Sequence, residues 1–249
     1  MAWDDGLLAN QIEAARHAGC HARVLAGPGT GKTLTLTRHA CYLVEEQNVP
    51  VDRIIAVTFT RAATRELHQR LENELGKGNC PHVSTLHSFA LRQLLRNSAR
   101  ISDLPQPLRI ADDWEERNIV LEDIKALLNL SHINEARDLL NELSADWQRL
   151  TADDADWERR FPNPGFLGSW REHRQIYGYT LRAELVYQLK KALEQRGDFE
   201  LEGDIEHLLV DEYQDLNRFD LVPHFTSSTT TPPSHEQLRA CQCKSTHRP

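Results

Sequence analysis

Ala26-Gly27-Pro28-Gly29-Thr30-Gly31-Lys32-Thr33 combines the residue types and spacing that suit phosphate binding. It reads as a loop of the G-x-x-x-x-G-K-T type. Glycines let the backbone turn its N–H groups around an anion. The Lys32 ammonium is placed to reach β- and γ-phosphates, and the Thr33 hydroxyl is an oxygen ligand for Mg2+. Far downstream, the apolar run Ile205–Val210 leads into Asp211-Glu212-Tyr213-Gln214-Asp215. Paired acids at the end of a buried strand suit a nucleotide site. Asp211 would hold Mg2+ through water, and Glu212 would polarise the attacking water. A phosphate loop and such an acid pair form the two halves of a hydrolytic nucleotide cleft.

The elements that must position these groups are legible as patterns. The run His21–Leu25 before the loop is expected to be a short buried strand. Leu34–Val44 after it is expected to be a helix, whose N-terminus favours an anion. Ile54–Phe59 is a β-branched apolar run, short enough for a parallel strand buried on both faces. Arg61–Leu75 follows as a helix, with Ala63, Leu67, Leu71 and Leu75 in register and Gly76 as its stop. His82–Thr85 is a third expected strand, before a helix from His87 to about Asn97. Leu7–Ala18 is amphipathic at helical spacing.

Residues 102–200 change character. After the linker at 103–107, helices are expected at Asp112–Leu130, with Asp112 as cap, at Ile133–Leu150 and at Thr180–Gln195. Phe161-Pro162-Asn163-Pro164-Gly165 interrupts them. The expected fold class is therefore α/β: a parallel phosphate-loop sheet with an inserted all-α subdomain. Residues 1–101 form its first part, 102–200 the insertion and 201–222 the return. A helix starting near Asn217 stops soon after it begins. Residues 223–249 hold 13 Ser, Thr or Pro among 27 and show no apolar periodicity, so they are not expected to fold. Such a tail is either natural disorder or the mark of a chain altered or cut short after Val222, and the interrupted helix favours the second.

Composition sets the class. A chain of 249 residues with 40% hydrophobic and 27% charged residues is ordinary for a globular protein. No apolar run approaches the ~20 residues of a membrane span. The acidic start lacks the pattern of a secretory signal. Five scattered cysteines, Cys20, Cys41, Cys80, Cys241 and Cys243, read as free thiols of a reducing compartment, which places the chain in the cytoplasm. The net charge of −8 is uneven: residues 1–100 carry 12 basic against 9 acidic groups, and residues 101–160 carry 7 against 15. A mildly basic N-terminal third is compatible with a local groove for a nucleic-acid backbone.

Four motifs in order now resemble the N-terminal part of superfamily 1 DNA helicases of the UvrD/Rep/PcrA type. Leu8-Ala9-Asn10-Gln11 resembles the Q motif, and the resemblance implies that the Gln11 amide reads adenine. The loop is similar to motif I. Ala56-Val57-Thr58-Phe59-Thr60-Arg61-Ala62-Ala63-Thr64-Arg65-Glu66-Leu67 resembles motif Ia, with Arg61-Ala62 replacing the usual Asn-Lys pair. Val83-Ser84-Thr85-Leu86-His87-Ser88-Phe89 resembles motif Ib, with Leu86 in place of phenylalanine. Asp211-Glu212-Tyr213-Gln214-Asp215 resembles motif II.

The resemblance covers about residues 7–222 and implies a RecA-like domain with an inserted 1B subdomain. It implies ATP and Mg2+ as cofactors, single-stranded DNA as partner and 3′–5′ helicase activity. Single-stranded DNA is expected along Thr58, Phe59, Thr60, Arg61, Thr85, His87 and Ser88. Lys32, Asp211, Glu212 and Gln214 are the expected catalytic set. Gln11 and residues Ala26 to Thr33 are expected to hold the nucleotide, with Thr33 and Asp211 as metal ligands. Motif III, an adenine-stacking tyrosine and the two arginines of a second RecA-like domain have no counterpart here. The alternative expectation is a truncated nucleotide-binding module without helicase or appreciable ATPase activity.

Overall fold

The computed structural model describes residues 2–18, 21–101, 103–195, 197, 199–201 and 203–212. The expectations for Cys20, for Tyr213-Gln214-Asp215, for the helix near Asn217, and for the tail with Cys241 and Cys243 lie outside the described residues. The described chain divides into two compact units, one over residues 2–85 with 203–212 and one over 86–201.

The first unit is the α/β fold expected from sequence. Its sheet contains β1 (Ile54–Thr58), β2 (His82–Thr85) and β3 (His207–Val210), all parallel, in the order β2-β1-β3. β1 is buried at all five positions, because an Ile-Ile-Ala-Val-Thr run offers apolar groups to both faces. The return after residue 202 is held to the β1 entry twice: the Glu206 amide donates to the Arg53 carbonyl at 2.9 Å, and the two side chains form an ion pair. Helices α1 (Ala9–Ala15), α2 (Lys32–Glu45) and α3 (Arg61–Leu75) complete the unit. Ala40 and Leu43 of α2 and Leu67 and Leu71 of α3 share one core with Ile54, Ala56, Val83 and Leu209. Helix α3 begins and ends where its signals stand: the Thr60 hydroxyl accepts from the Ala63 amide at 3.1 Å, and Gly76 follows at φ 93°.

The strand expected at His21–Leu25 is absent. These residues are irregular and exposed, Val24 by 52% and Leu25 by 79%. His21 and Arg23 alternate with the apolar residues, so the segment lacks the continuous apolar run that a strand buried on both faces requires.

The second unit is helical. It comprises α4 (Leu86–Arg96), α5 (Asp113–Glu115), α6 (Leu121–Leu127), α7 (Ile133–Arg149), α8 (Trp157–Arg160), α9 (Phe166–Tyr177) and α10 (Leu185–Gln195). A π-helical turn at Glu116–Val120 joins α5 to α6. Asp112 caps α5 through the amides of Trp114 and Glu115 at 2.9 and 2.8 Å. The unit starts at residue 86 rather than 102, because α4 packs its Phe89, Ala90 and Leu94 face within it and lies against α10. Its core gathers Trp147, Trp157, Phe161, Phe166, Trp170, Tyr179 and Tyr187 around the aliphatic residues of α6 and α7. No helix among the described residues is long and apolar enough to cross a membrane.

Candidate functional site

The phosphate loop is built by two glycines in conformations that other residues rarely adopt. Gly29 lies at φ 72° and Gly31 at φ 81°, and Gly31 is the N-cap of α2. Ala26 stands where the pattern has its first glycine. Two side chains fold back onto the start of the loop: the Thr30 hydroxyl donates to the Gly27 carbonyl at 2.7 Å, and the Lys32 ammonium donates to the same oxygen at 3.4 Å. The first-turn amides of Lys32, Thr33 and Leu34 have no intrahelical acceptor by helix geometry and carry the positive end of the macrodipole. Loop residues 26–30 are exposed, so this cradle is open to a ligand.

Gln11 joins α1 to the loop. Its Oε1 accepts from the Leu8 amide at 2.8 Å and its Nε2 donates to the Thr30 carbonyl at 2.9 Å. A primary amide has two donor hydrogens and two acceptor lone pairs, so one of each remains for a further partner. A Cβ at position 31 would stand 2.9 Å from Gln11 Nε2. Gly31→Ala is therefore expected to displace the glutamine and to strain the left-handed backbone. Together these effects cost about 2 kcal/mol in denaturant unfolding.

Asp211 directly follows β3, at the carboxyl end of the sheet where α/β folds place their ligands. Its amide donates to the Val57 carbonyl at 3.0 Å, extending the β1–β3 ladder by one residue. Its side chain meets the loop helix: Thr33 Oγ1 donates to Asp211 Oδ2 at 3.4 Å. The residue is 8% exposed. Burial pushes the Asp211 carboxyl above its ordinary value, and the neighbouring Glu212 charge adds to this. The Glu212 amide, the Thr33 hydroxyl and the Lys32 ammonium pull the other way. A hydroxyl and a carboxylate within hydrogen-bond reach, short of compensating positive charge, make an oxygen donor pair that fits Mg2+. Glu212 lies at φ 52°, a left-handed conformation that costs a non-glycine residue about 1 kcal/mol or more.

The segment after β1 separates its polar groups. Thr58 is 2% exposed, and its hydroxyl donates to the Thr60 carbonyl at 3.1 Å and meets the Thr64 hydroxyl at 2.8 Å. Thr64, which stands in the motif Ia resemblance but is not among the expected site residues, also donates its Oγ1 to the Thr60 carbonyl at 3.0 Å. Thr60 caps α3. Phe59 is 47% exposed, so it is a surface ring and not a core residue, and Arg61 is exposed beside it. Thr85 ends β2, half-buried. His87 and Ser88 lie in the first turn of α4, in the helical unit. Burial pushes the His87 imidazole below its ordinary value and Arg182 adds to the effect, so His87 is neutral at pH 7 and offers a hydrogen bond rather than a charge. Gln214, expected in the catalytic set, lies outside the described residues.

Comparison with known proteins adds an independent line. The sequence model of the family described as UvrD/REP helicase N-terminal domain matches residues 7–222. The ATP-dependent DNA helicase UvrD1 of Mycobacterium tuberculosis is 32% identical over 231 residues, covering 88% of this chain and 30% of that protein. DNA helicase II of Haemophilus influenzae is 31% identical over 237 residues, covering 86% and 31% respectively. The ATP-dependent DNA helicase PcrA of Staphylococcus epidermidis is 32% identical over 117 residues, covering 47% and 16%. The chain thus spans less than a third of the length of these curated relatives.

Proposed function

The chain belongs to the UvrD/REP helicase N-terminal domain family, and from this we propose that it is the ATP-binding N-terminal region of a 3′–5′ DNA helicase acting in the cytoplasm. The observation that carries the reading is the meeting of Thr33 Oγ1 with the buried Asp211 carboxylate at 3.4 Å, one residue after the loop lysine. In this reading Gly27 to Gly31 and the first-turn amides of α2 surround the phosphates, and Lys32 leaves the Gly27 carbonyl to bind the β- and γ-phosphates. Thr33 and Asp211 are the metal ligands, and bound Mg2+ supplies charge neutralisation on the phosphate oxygens. Glu212 accepts the proton of the attacking water, and Gln11 presents its remaining donor and acceptor to adenine.

DNA would run over Phe59, which offers a stacking face, and Arg61, which offers a phosphate contact. Thr58 and Thr60 act by shaping this segment through their internal hydrogen bonds. Thr85 is a further DNA contact of the α/β unit, and His87 and Ser88 are DNA contacts of the helical unit. A second reading is a module that binds ATP with little turnover.

Titration with a fluorescent ATP analogue and a hydrolysis assay with and without single-stranded DNA separate the two. Lys32→Ala is expected to weaken nucleotide binding by at least about tenfold, the value of one charge-assisted hydrogen bond to phosphate. DNA-stimulated hydrolysis that disappears in this variant supports the motor reading. Binding without hydrolysis supports the module. A parent chain that binds no nucleotide refutes both.

A further inference from the structure

On the opposite end of α3 from the Thr58–Arg61 segment, three metal-ligating side chains converge. His68 and Glu72 are one helical turn apart on α3, with His68 Nδ1 and Glu72 Oε2 at 3.6 Å. Cys80, two residues before β2, brings its Sγ to 3.8 Å from His68 Nε2. One ligand atom from each residue lies within 4.8 Å of the other two. The connection from α3 to Cys80 passes through Gly76 and Gly78, both at positive φ, which lets the chain double back toward the helix.

We propose that His68, Glu72 and Cys80 form a zinc site. Two ligands of a tetrahedral zinc ion, at about 2.0 Å for nitrogen and about 2.3 Å for sulfur, stand about 3.5 Å apart, close to the Cys80–His68 separation seen here. Thiolate, imidazole and carboxylate together select Zn2+ over Mg2+ or Ca2+, which take oxygen ligands alone. Three protein ligands leave the fourth position to water. All three side chains are only partly buried, so an ion reaches them from solvent. On binding, the Cys80 thiol proton passes to solvent, the sulfur binds as thiolate, and the His68 ring binds through one neutral nitrogen. The ion would fasten the C-terminal turns of α3 to the segment entering β2. This site shares no residue with the nucleotide cleft and does not rest on the proposed helicase function.

The test uses the full 249-residue chain, reduced and freed of metal by chelation. Competition with a chromophoric chelator is expected to show one equivalent of Zn2+ bound at micromolar affinity or tighter. Cys80→Ser and His68→Ala are each expected to weaken it at least tenfold and Glu72→Gln several-fold, with the far-ultraviolet circular dichroism unchanged. Replacing Cys241 and Cys243 together with serine is expected to leave the affinity as it was. Co2+ gives a second readout, a thiolate charge-transfer band in the parent that Cys80→Ser removes. If the parent binds no stoichiometric Zn2+, if it shows no thiolate band with Co2+, or if Cys80→Ser and His68→Ala both bind as the parent does, the site is refuted.

Discussion

Asp211→Asn is expected to make the nucleotide-free chain more stable at pH 7 and, in the same protein, to weaken Mg2+-dependent nucleotide binding on the order of 10²-fold. Both effects come from one environment. The carboxyl is buried against β1 and faces the Glu212 charge, and the Glu212 amide, the Thr33 hydroxyl and a nearby ammonium do not together offset the loss of water. Its folded pKa therefore lies above the ordinary carboxylate value of about 3.9. Between those two values the folded state holds more proton than the unfolded state, so stability falls as pH rises through that window. Above the folded pKa the chain carries the full penalty of a buried anion.

Asparagine keeps an oxygen to accept from Thr33 but removes the charge. The unfavourable term disappears together with its pH dependence. The loss on the ligand side has the same origin, because a divalent ion bound by Thr33 and Asp211 would be compensated by that charge. A metal ligand is worth at least the 10–100-fold that supporting residues around metal sites contribute. Denaturant unfolding from pH 4 to 7, with nucleotide titrations with and without Mg2+, reads both effects. A variant less stable than the parent at pH 7, with unchanged Mg2+ dependence, would refute the assignment.

The parts of the molecule legible from sequence are those whose determinants are local. Helix α3 carries its own start signal in Thr60 and its own stop in Gly76. β1 and β2 announce themselves by short β-branched runs, and the Gly-Lys-Thr ending marks the start of α2. Family membership was legible for the same reason: the motifs are short and local, and their order survives the departures at Ala26, Arg61-Ala62 and Leu86. Helix α9 was not. Its buried face carries His173 and Arg174 beside Phe166, Leu167 and Trp170, so it breaks the apolar pattern that identifies a helix. Those two residues are satisfied by Asp123, Tyr179, Asp103 and Glu184, some of them 50 or more positions away. The same limit applies at the site. Nothing local says that the Thr58 hydroxyl turns inward to Thr60 and Thr64 while Phe59 stays at the surface. The alternation of His21 and Arg23 with apolar residues was the available signal against a strand before the phosphate loop.

Arg174→Leu is expected to destabilise the helical unit by about 3–5 kcal/mol, the range for breaking a buried ion pair from one side. The Arg174 and Glu184 side chains are 8% and 0% exposed, with Nη1 donating to Oε1 at 2.6 Å. Arg174 Nη2 also donates to the Asp103 carbonyl at 2.9 Å, and the guanidinium lies 4.9 Å from the Trp170 ring centre. Gln188 Nε2 donates to Glu184 Oε1 at 2.7 Å, whereas Oε2 has no hydrogen-bond partner among the described residues. Burial already raises the Glu184 pKa, against the pull of Arg174 and then of Gln188. Without the arginine the carboxyl rises further, because its main charge partner is gone while its burial remains. The defect of the variant should therefore shrink as pH falls and Glu184 becomes neutral in the folded state, and grow as pH rises. Urea unfolding at pH 5 and pH 8 reads this difference directly. Adding Glu184→Leu to Arg174→Leu removes the stranded carboxylate and should recover part of the loss. A double variant as unstable as the single one would show that packing of Arg174 against Trp170, and not the orphaned charge, carries the effect.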